Sequence, residues 1–159
     1  MQTYFQETAI EDAEAGASLY DQRLLLLRDG DDLVGAAVHY SESAPDDESG
    51  DIERRLAAYA ASSHVQGGKL STGEYASKSL LRAVISDIAS RHSPQDMVVI
   101  TALVLPMNKA SRACLERYGW SNVGLHQRYI MYANSLQAAQ QALDIDPSLG
   151  IDVYHGPVA

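Results

Sequence analysis

The nine-residue run Met97-Val-Val-Ile-Thr-Ala-Leu-Val-Leu105, closed by Pro106, constrains the fold more than any other stretch of this chain. It lacks the alternation of a strand with one wet face, and it is far shorter than the roughly 20 apolar residues of a membrane-spanning helix. Such a run predicts a central strand covered on both sides, so its neighbours must supply further strands and the covering helices. Residues 77–91 supply one helix, because Leu80, Leu81, Val84, Ile85, Ile88 and Ala89 form a wide stripe at 3.6-residue spacing. Beyond Pro106, Asn108 can cap a helix running to Tyr118, and Gly119 stands where a left-handed C-terminal residue is expected.

The rest of the chain fits the same plan. Arg23-Leu-Leu-Leu-Leu-Arg28, then Asp29-Gly-Asp-Asp32, then Leu33-Val-Gly-Ala-Ala-Val-His-Tyr40 read as a β-hairpin. Ahead of it, Thr8 and Glu11 stand in capping-box spacing, and Ile10, Ala13, Ala17 and Tyr20 share a helical stripe, which predicts a helix over 9–21. Residues 41–51 form an acidic, solvated loop. Ile52 to Ser63 is ambiguous between strand and helix on periodicity; it reads as a strand because a loop with Gly67, Gly68 and Gly73 and then a helix follow it. Residues 122–133 read as one last strand, Val123 to Tyr132, followed by a short helix over 135–143 and a Gly/Pro-containing tail. The order is helix, hairpin, strand, loop, helix, strand, helix, strand. It predicts a single α/β (α+β) domain whose mixed central sheet is flanked by helices, with the strand–helix–strand crossover pairing in parallel.

Composition narrows the partners. The chain of 159 residues is 46% hydrophobic, enough for one packed core, and carries a net charge of −9. That charge disfavours nucleic acid and anionic membrane as general partners. A single cysteine, Cys114, excludes an internal disulfide and a Cys-based zinc site, and the first residues lack the basic-then-apolar pattern of a secretory signal. A cytoplasmic location is the expectation. The histidines at 39, 64, 92, 126 and 155 show no ligand spacing, so no metal is expected.

The charge is also unevenly placed. Residues 1–53 hold 14 acidic and two basic side chains, a net −12, whereas residues 54–159 hold ten basic and seven acidic ones, a net +3. Within that basic part, a strand feeds a glycine-containing loop and the loop feeds a helix start, where unpaired N–H groups and the helix dipole favour an anion. Lys69 and Lys78 flank it.

Leu103-Val-Leu-Pro-Met-Asn108-Lys-Ala-Ser-Arg-Ala-Cys-Leu-Glu-Arg-Tyr-Gly-Trp120 resembles the GNAT N-acetyltransferase (acyl-CoA N-acyltransferase) family, in which a strand ends in a short turn, an Asn opens a helix and a Gly-aromatic pair closes it. Leu56 to Gln66-Gly67 is similar to the family's strand and the start of its pyrophosphate loop, and Leu80-Leu81 stands where its helix carries paired leucines. The resemblance spans roughly residues 33–132. It divides the chain into a GNAT-like acyltransferase domain, 1–133, and a C-terminal extension, 134–159, packed on it. The loop is atypical: Gly68-Lys-Leu-Ser-Thr-Gly-Glu-Tyr-Ala76 intervenes before Ser77, which reads as an insertion.

The resemblance implies acetyl-CoA, or another acyl-CoA, as cosubstrate. The implied cofactor-binding residues are Ala61, Ser62 and Ser63 for pantetheine, Val65, Gln66, Gly67, Gly68, Lys69, Ser77 and Lys78 for the pyrophosphate, and Asn108 and Ser111 at the next helix. The implied catalytic residues are Glu53 as base and Tyr118 as proton donor, since the place of the family's helix tyrosine is taken by Leu115. His39, Tyr40 and His64 have suitable chemistry for a base without the position. The acceptor implied is an amine, cationic in solution, met by the acidic N-terminal third. Two alternatives remain at the level of sequence: a degenerate domain that binds CoA without catalysis, and a scaffold in which residues from Asn134 onward pair or form a homodimer.

Overall fold

The computed structural model describes residues 20–44 and 51–144. The expected helix therefore lies outside the described residues over 9–19, as does the tail beyond 144. Six strands form one sheet: β1 (Tyr20–Asp29), β2 (Asp32–Ser41), β3 (Asp51–Ala61), β4 (Met97–Val104), β5 (Ser121–His126) and β6 (Tyr129–Ser135), in the order β1-β2-β3-β4-β6-β5. Among the described residues three helices accompany them: α1 (Ala76–Ser90), α2 (Lys109–Arg117) and α3 (Leu136–Ala142). The expected mixed sheet is present. β1, β2 and β3 pair antiparallel, β3 and β4 pair in parallel through the α1 crossover, and β6 pairs antiparallel with both β4 and β5.

Local chemistry accounts for these elements. Asp29 pairs with Asp32 across a two-residue turn in which Gly30 takes φ +62°, a conformation glycine adopts without strain. Leu80, Leu81, Val84, Ile85 and Ile88 of α1 are fully buried against Leu25, Leu27, Val34, Leu56 and Ile100 of the sheet. Each such side chain contributes roughly 1.5–3 kcal/mol on burial. On α2, the Asn108 side chain accepts from the Ser111 N–H at 3.2 Å, and Gly119 closes the C-terminus at φ +89°. α3 packs on α1, β4 and β6 and adds Ala139 and Leu143 to the same core.

Three expectations need correction. Residues 122–133 are a hairpin, β5 and β6, rather than one strand; the chain reverses at Gln127-Arg128, with Gln127 at φ +56°. Tyr20 and Asp21 belong to β1 instead of ending a helix, because Tyr20 pairs with Ser41 and the Asp21 carboxylate binds Arg54 and Arg91. β4 is central, with Val98, Ile100, Ala102 and Val104 buried, but Met97 and Val99 are 68% and 44% exposed on its other face. Double-sided cover thus begins only at Thr101, which is buried.

Candidate active site

Two features of β3 create an opening in the middle of the sheet. His39 pairs with Leu56 and Val38 with Ala58, so Ala57 is an extra residue, a β-bulge that bends the strand. The β3–β4 ladder ends at Leu56↔Ala102, yet β3 goes on pairing with β2 as far as Ala61, and β4 with β6 as far as Val104. The two parallel strands therefore part beyond Leu56, leaving a wedge lined on one side by Ala57–Ala61. Clefts at the carboxyl ends of parallel strands are where α/β sheets take ligands.

The mouth of this wedge is built from the loop and the first turn of α1. Ser62 N–H donates to the Val34 carbonyl at 2.8 Å, fixing the exit from β3. The chain then turns through Val65–Gly68. Lys69 to Tyr75 forms a small closed excursion, held by the Lys69–Tyr75 bridge and by Leu70 N–H donating to the Glu74 carbonyl at 2.8 Å. Ala76 N–H donates to the Gly68 carbonyl at 3.1 Å, so the excursion leaves and rejoins the chain at nearly one point. Tyr75, at the N-cap, gives α1 no side-chain cap, which leaves the N–H groups of Ser77 and Lys78 facing outward at the positive end of the helix dipole.

The basic side chains sit at the rim. Lys69 Nζ lies over the Tyr75 ring at 5.2 Å, and Lys78 Nζ contacts the largely exposed Asp144 at 3.4 Å. Glu74 is turned away by Arg82 at 2.8 Å and by the Ser79 hydroxyl at 2.6 Å. Across the wedge, the Tyr59 hydroxyl donates to the Ser111 carbonyl of α2 at 3.4 Å, and Cys114 Sγ contacts both Tyr59 and Ser77. Burial raises the Tyr59 phenol above its ordinary range, so it stays protonated, and raises the Cys114 thiol, which makes it a poor nucleophile.

Ala61 ends β3; Ser62, Ser63, Val65, Gln66, Gly67, Gly68 and Lys69 follow in the loop to α1, with Val65 packed in the core; Ser77 and Lys78 lie in the first turn of α1, and Asn108 and Ser111 at the start of α2. Glu53 stands on β3 opposite Val99, on the face turned away from α1. Tyr118 lies apart: it is the C-cap of α2, packed in the core at the end of the helix remote from Asn108. Leu115 is fully buried. His39 is fully buried as well, with Nε2 2.7 Å from Asp87 and Nδ1 2.9 Å from Arg54, so neither ring nitrogen is free to act as a base. His64 Nδ1 pairs with the Ser62 hydroxyl at 3.1 Å, and Tyr40 donates to Glu42.

Sequence reasoning did not single out Tyr59, Arg55 or Thr101. Thr101 had a visible signal, being the one hydroxyl inside the Met97–Leu105 run. Among the described residues no group of three or more His, Cys, Asp or Glu could hold a metal ion, and no helix is long and apolar enough to cross a membrane.

The overall fold is found in a solved structure. Mycobacterium smegmatis RimJ, in a complex with CoA-disulfide, superimposes over 90% of this chain and 68% of its own, with a TM-score of 0.51 at 18% identity. The fold is GNAT-like. A weaker overlap extends to the toxin AtaT bound to the C-terminus of its antitoxin AtaR and acetyl-CoA (TM-score 0.49, 9% identity, 69% of this chain and 62% of that one). The cAMP-binding acyltransferase of M. smegmatis overlaps over 78% of this chain and 38% of its own, with a TM-score of 0.42 at 15% identity. This chain therefore spans less than two-thirds of AtaT and well under half of the cAMP-binding acyltransferase. No protein-family profile and no curated protein matches the sequence.

Proposed function

We propose that this protein is an acyl-CoA-dependent N-acyltransferase that moves an acetyl or other acyl group from the thioester to an amine. The observation that carries this reading is the wedge: a parallel pair that parts at a bulge, with an uncapped helix start at its mouth. An extended chain with an anionic head fits such a shape. The N–H groups of Val65, Gly68, Leu70, Gly73 and Ala76 donate to carbonyls of the loop itself, so those of Gly67 and Ser77 would hold the pyrophosphate, Lys69 and Lys78 the remaining phosphate charge, and pantetheine would run along Ala61 to Ser63. Backbone at the Ala57 bulge offers a place for the thioester carbonyl, whose oxygen gains charge as the amine attacks.

The amine nitrogen forms the new C–N bond, the C–S bond breaks, and CoA leaves as a thiolate that takes up a proton. Glu53 is assigned the amine's proton. It lies four residues before Ala57, about 13 Å along the strand, so the transfer runs through water. Tyr118, packed at the far end of α2, has no place in this sequence of events. An amine cationic in solution suits the 14 acidic residues of the first 53.

The test is incubation with acetyl-CoA and a panel of amines, following thiol release. Turnover with at least one amine is the expected result, and none with any amine would sink the reading. A second reading, CoA binding without catalysis, is favoured by Leu115, buried where a helix phenol would otherwise point inward. A thermal shift with CoA in the absence of turnover would select it.

A further inference from the structure

We propose that Thr101 and Arg55 are positioning residues that hold Glu53 in a single orientation for its work on the acceptor amine; this rests on the acyltransferase reading above. The three side chains stand at neighbouring register positions of the parallel pair, Glu53 opposite Val99 and Arg55 opposite Thr101, immediately before the last rung at Leu56↔Ala102. They share the face turned away from α1, because Arg54 and Leu56, which alternate with them, are buried on the α1 side.

Their hydrogen bonds form a closed ring. Arg55 Nε donates to Thr101 Oγ1 at 2.8 Å, Thr101 Oγ1 donates to Glu53 Oε1 at 2.8 Å, and Arg55 Nη2 donates to the same Oε1 at 3.0 Å. The guanidinium can only donate, so it occupies the acceptor side of the hydroxyl and aims the hydroxyl proton at the carboxylate. Glu53 Oε1 is thereby held by two donors, and Oε2 is left for a water or an ammonium group. Thr101 is 5% exposed and cannot swing away. Glu42 takes up part of the remaining Arg55 charge at 3.6 Å and itself accepts from Tyr40. A Glu fixed by two short bonds differs from a free surface carboxylate, which samples several rotamers. Displacement of a catalytic group by 1 Å can cost up to about 100-fold in rate.

The experiment uses the full chain, acetyl-CoA and the most active amine of the panel. Thr101→Val, which keeps the shape and removes the hydroxyl, should lower kcat about tenfold. The KM for acetyl-CoA should stay within about twofold of wild type, and the Tm should be nearly unchanged. Thr101→Ser, which restores the hydroxyl, should recover kcat to within about threefold of wild type. An unchanged kcat in Thr101→Val, or a Thr101→Ser variant as slow as Thr101→Val, overturns the proposal. If Thr101→Val does not fold, Arg55→Lys keeps the charge and loses the fork. It should show the same kcat loss, and wild-type kcat in it overturns the proposal. Wild-type protein that turns over while Glu53→Gln is equally fast removes Glu53, and this proposal with it, but leaves the acyltransferase reading standing. No turnover by wild type with any amine removes both.

Discussion

Arg54 and Arg55 are adjacent in sequence and face opposite sides of β3, and each organises a different kind of site. On the α1 side, Arg54 is 1% exposed and binds His39 Nδ1 at 2.9 Å and Asp21 at 3.0 Å; Arg91 ties Asp21 to Asp87, and Asp87 returns to His39. Because Arg54 only donates, His39 Nδ1 is the acceptor and Nε2–H donates to Asp87. Burial raises the Asp87 carboxyl, but the hydrogen bonds from His39 and Arg91 outweigh it and hold that carboxyl well below its ordinary range. On the other side, Arg55 meets Glu53, whose side chain is 41% exposed. The first network is buried at His39, Arg54 and Asp87, reaches solvent at Asp21, and joins β1, β2, β3 and α1. The second leaves a carboxylate half-exposed on the other face of the sheet. Burial of His39, Arg54 and Asp87 ties the first cluster to the fold, whereas the second is the one we propose for chemistry.

Replacing each arginine in turn should separate the two roles. Arg54→Ala should cost about 3–5 kcal/mol in urea unfolding, since it strands buried partners. A loss below about 1 kcal/mol would mean that the α1-side network is not structural. Glu53→Gln should come next, with kcat reduced about 100-fold at neutral pH and CoA affinity unchanged. Equal loss of affinity would place Glu53 on the cofactor instead. Lys78→Glu should weaken CoA binding about tenfold in calorimetry, and unchanged binding would move the phosphate site elsewhere.

The next contrast is in pH. Burial, first of all, lowers the folded pKa of His39 beneath its unfolded value of about 6.5. The folded state therefore binds fewer protons than the unfolded chain below that pH. Stability is fully present above it and falls as the pH drops, by up to about 1.4 kcal/mol per unit. His92, also lowered by burial, acts in the same direction. Denaturation midpoints from pH 7.5 to 5.5 should decline in the wild type and flatten in His39→Gln; a parallel decline would assign the effect to other groups. The smallest effect belongs to Arg55→Ala, which should change stability by about 1 kcal/mol or less.

The architecture was largely readable from local signals. The Asp29-Gly30 turn, the stripe of α1, the Met97–Leu105 run and the Asn108…Gly119 pair each carry their own chemistry, and each element lies within a residue or two of its expected place. The β5–β6 hairpin was hidden because its reversal at Gln127-Arg128 uses neither Gly, Pro nor Asn, while Gly124, at φ +114°, marks a bulge rather than the turn. The charge networks were hidden for another reason. Glu53 and Thr101 are 48 positions apart, as are His39 and Asp87, so the first pair depends on strand register and the second on how α1 packs on the sheet.

The hydrogen bond from Ala76 to the Gly68 carbonyl has a further consequence for how such proteins diverge. Because the excursion starts and finishes at one place, its length is decoupled from the distance between the glycine turn and the helix start. Change at its exposed tip, Thr72-Gly73, leaves both anchors in place, while Leu70 in the core and Ser71 on Asp29 tie the rest of it to the sheet. Spacing counted in residues and spacing measured in space are therefore separate quantities in this loop.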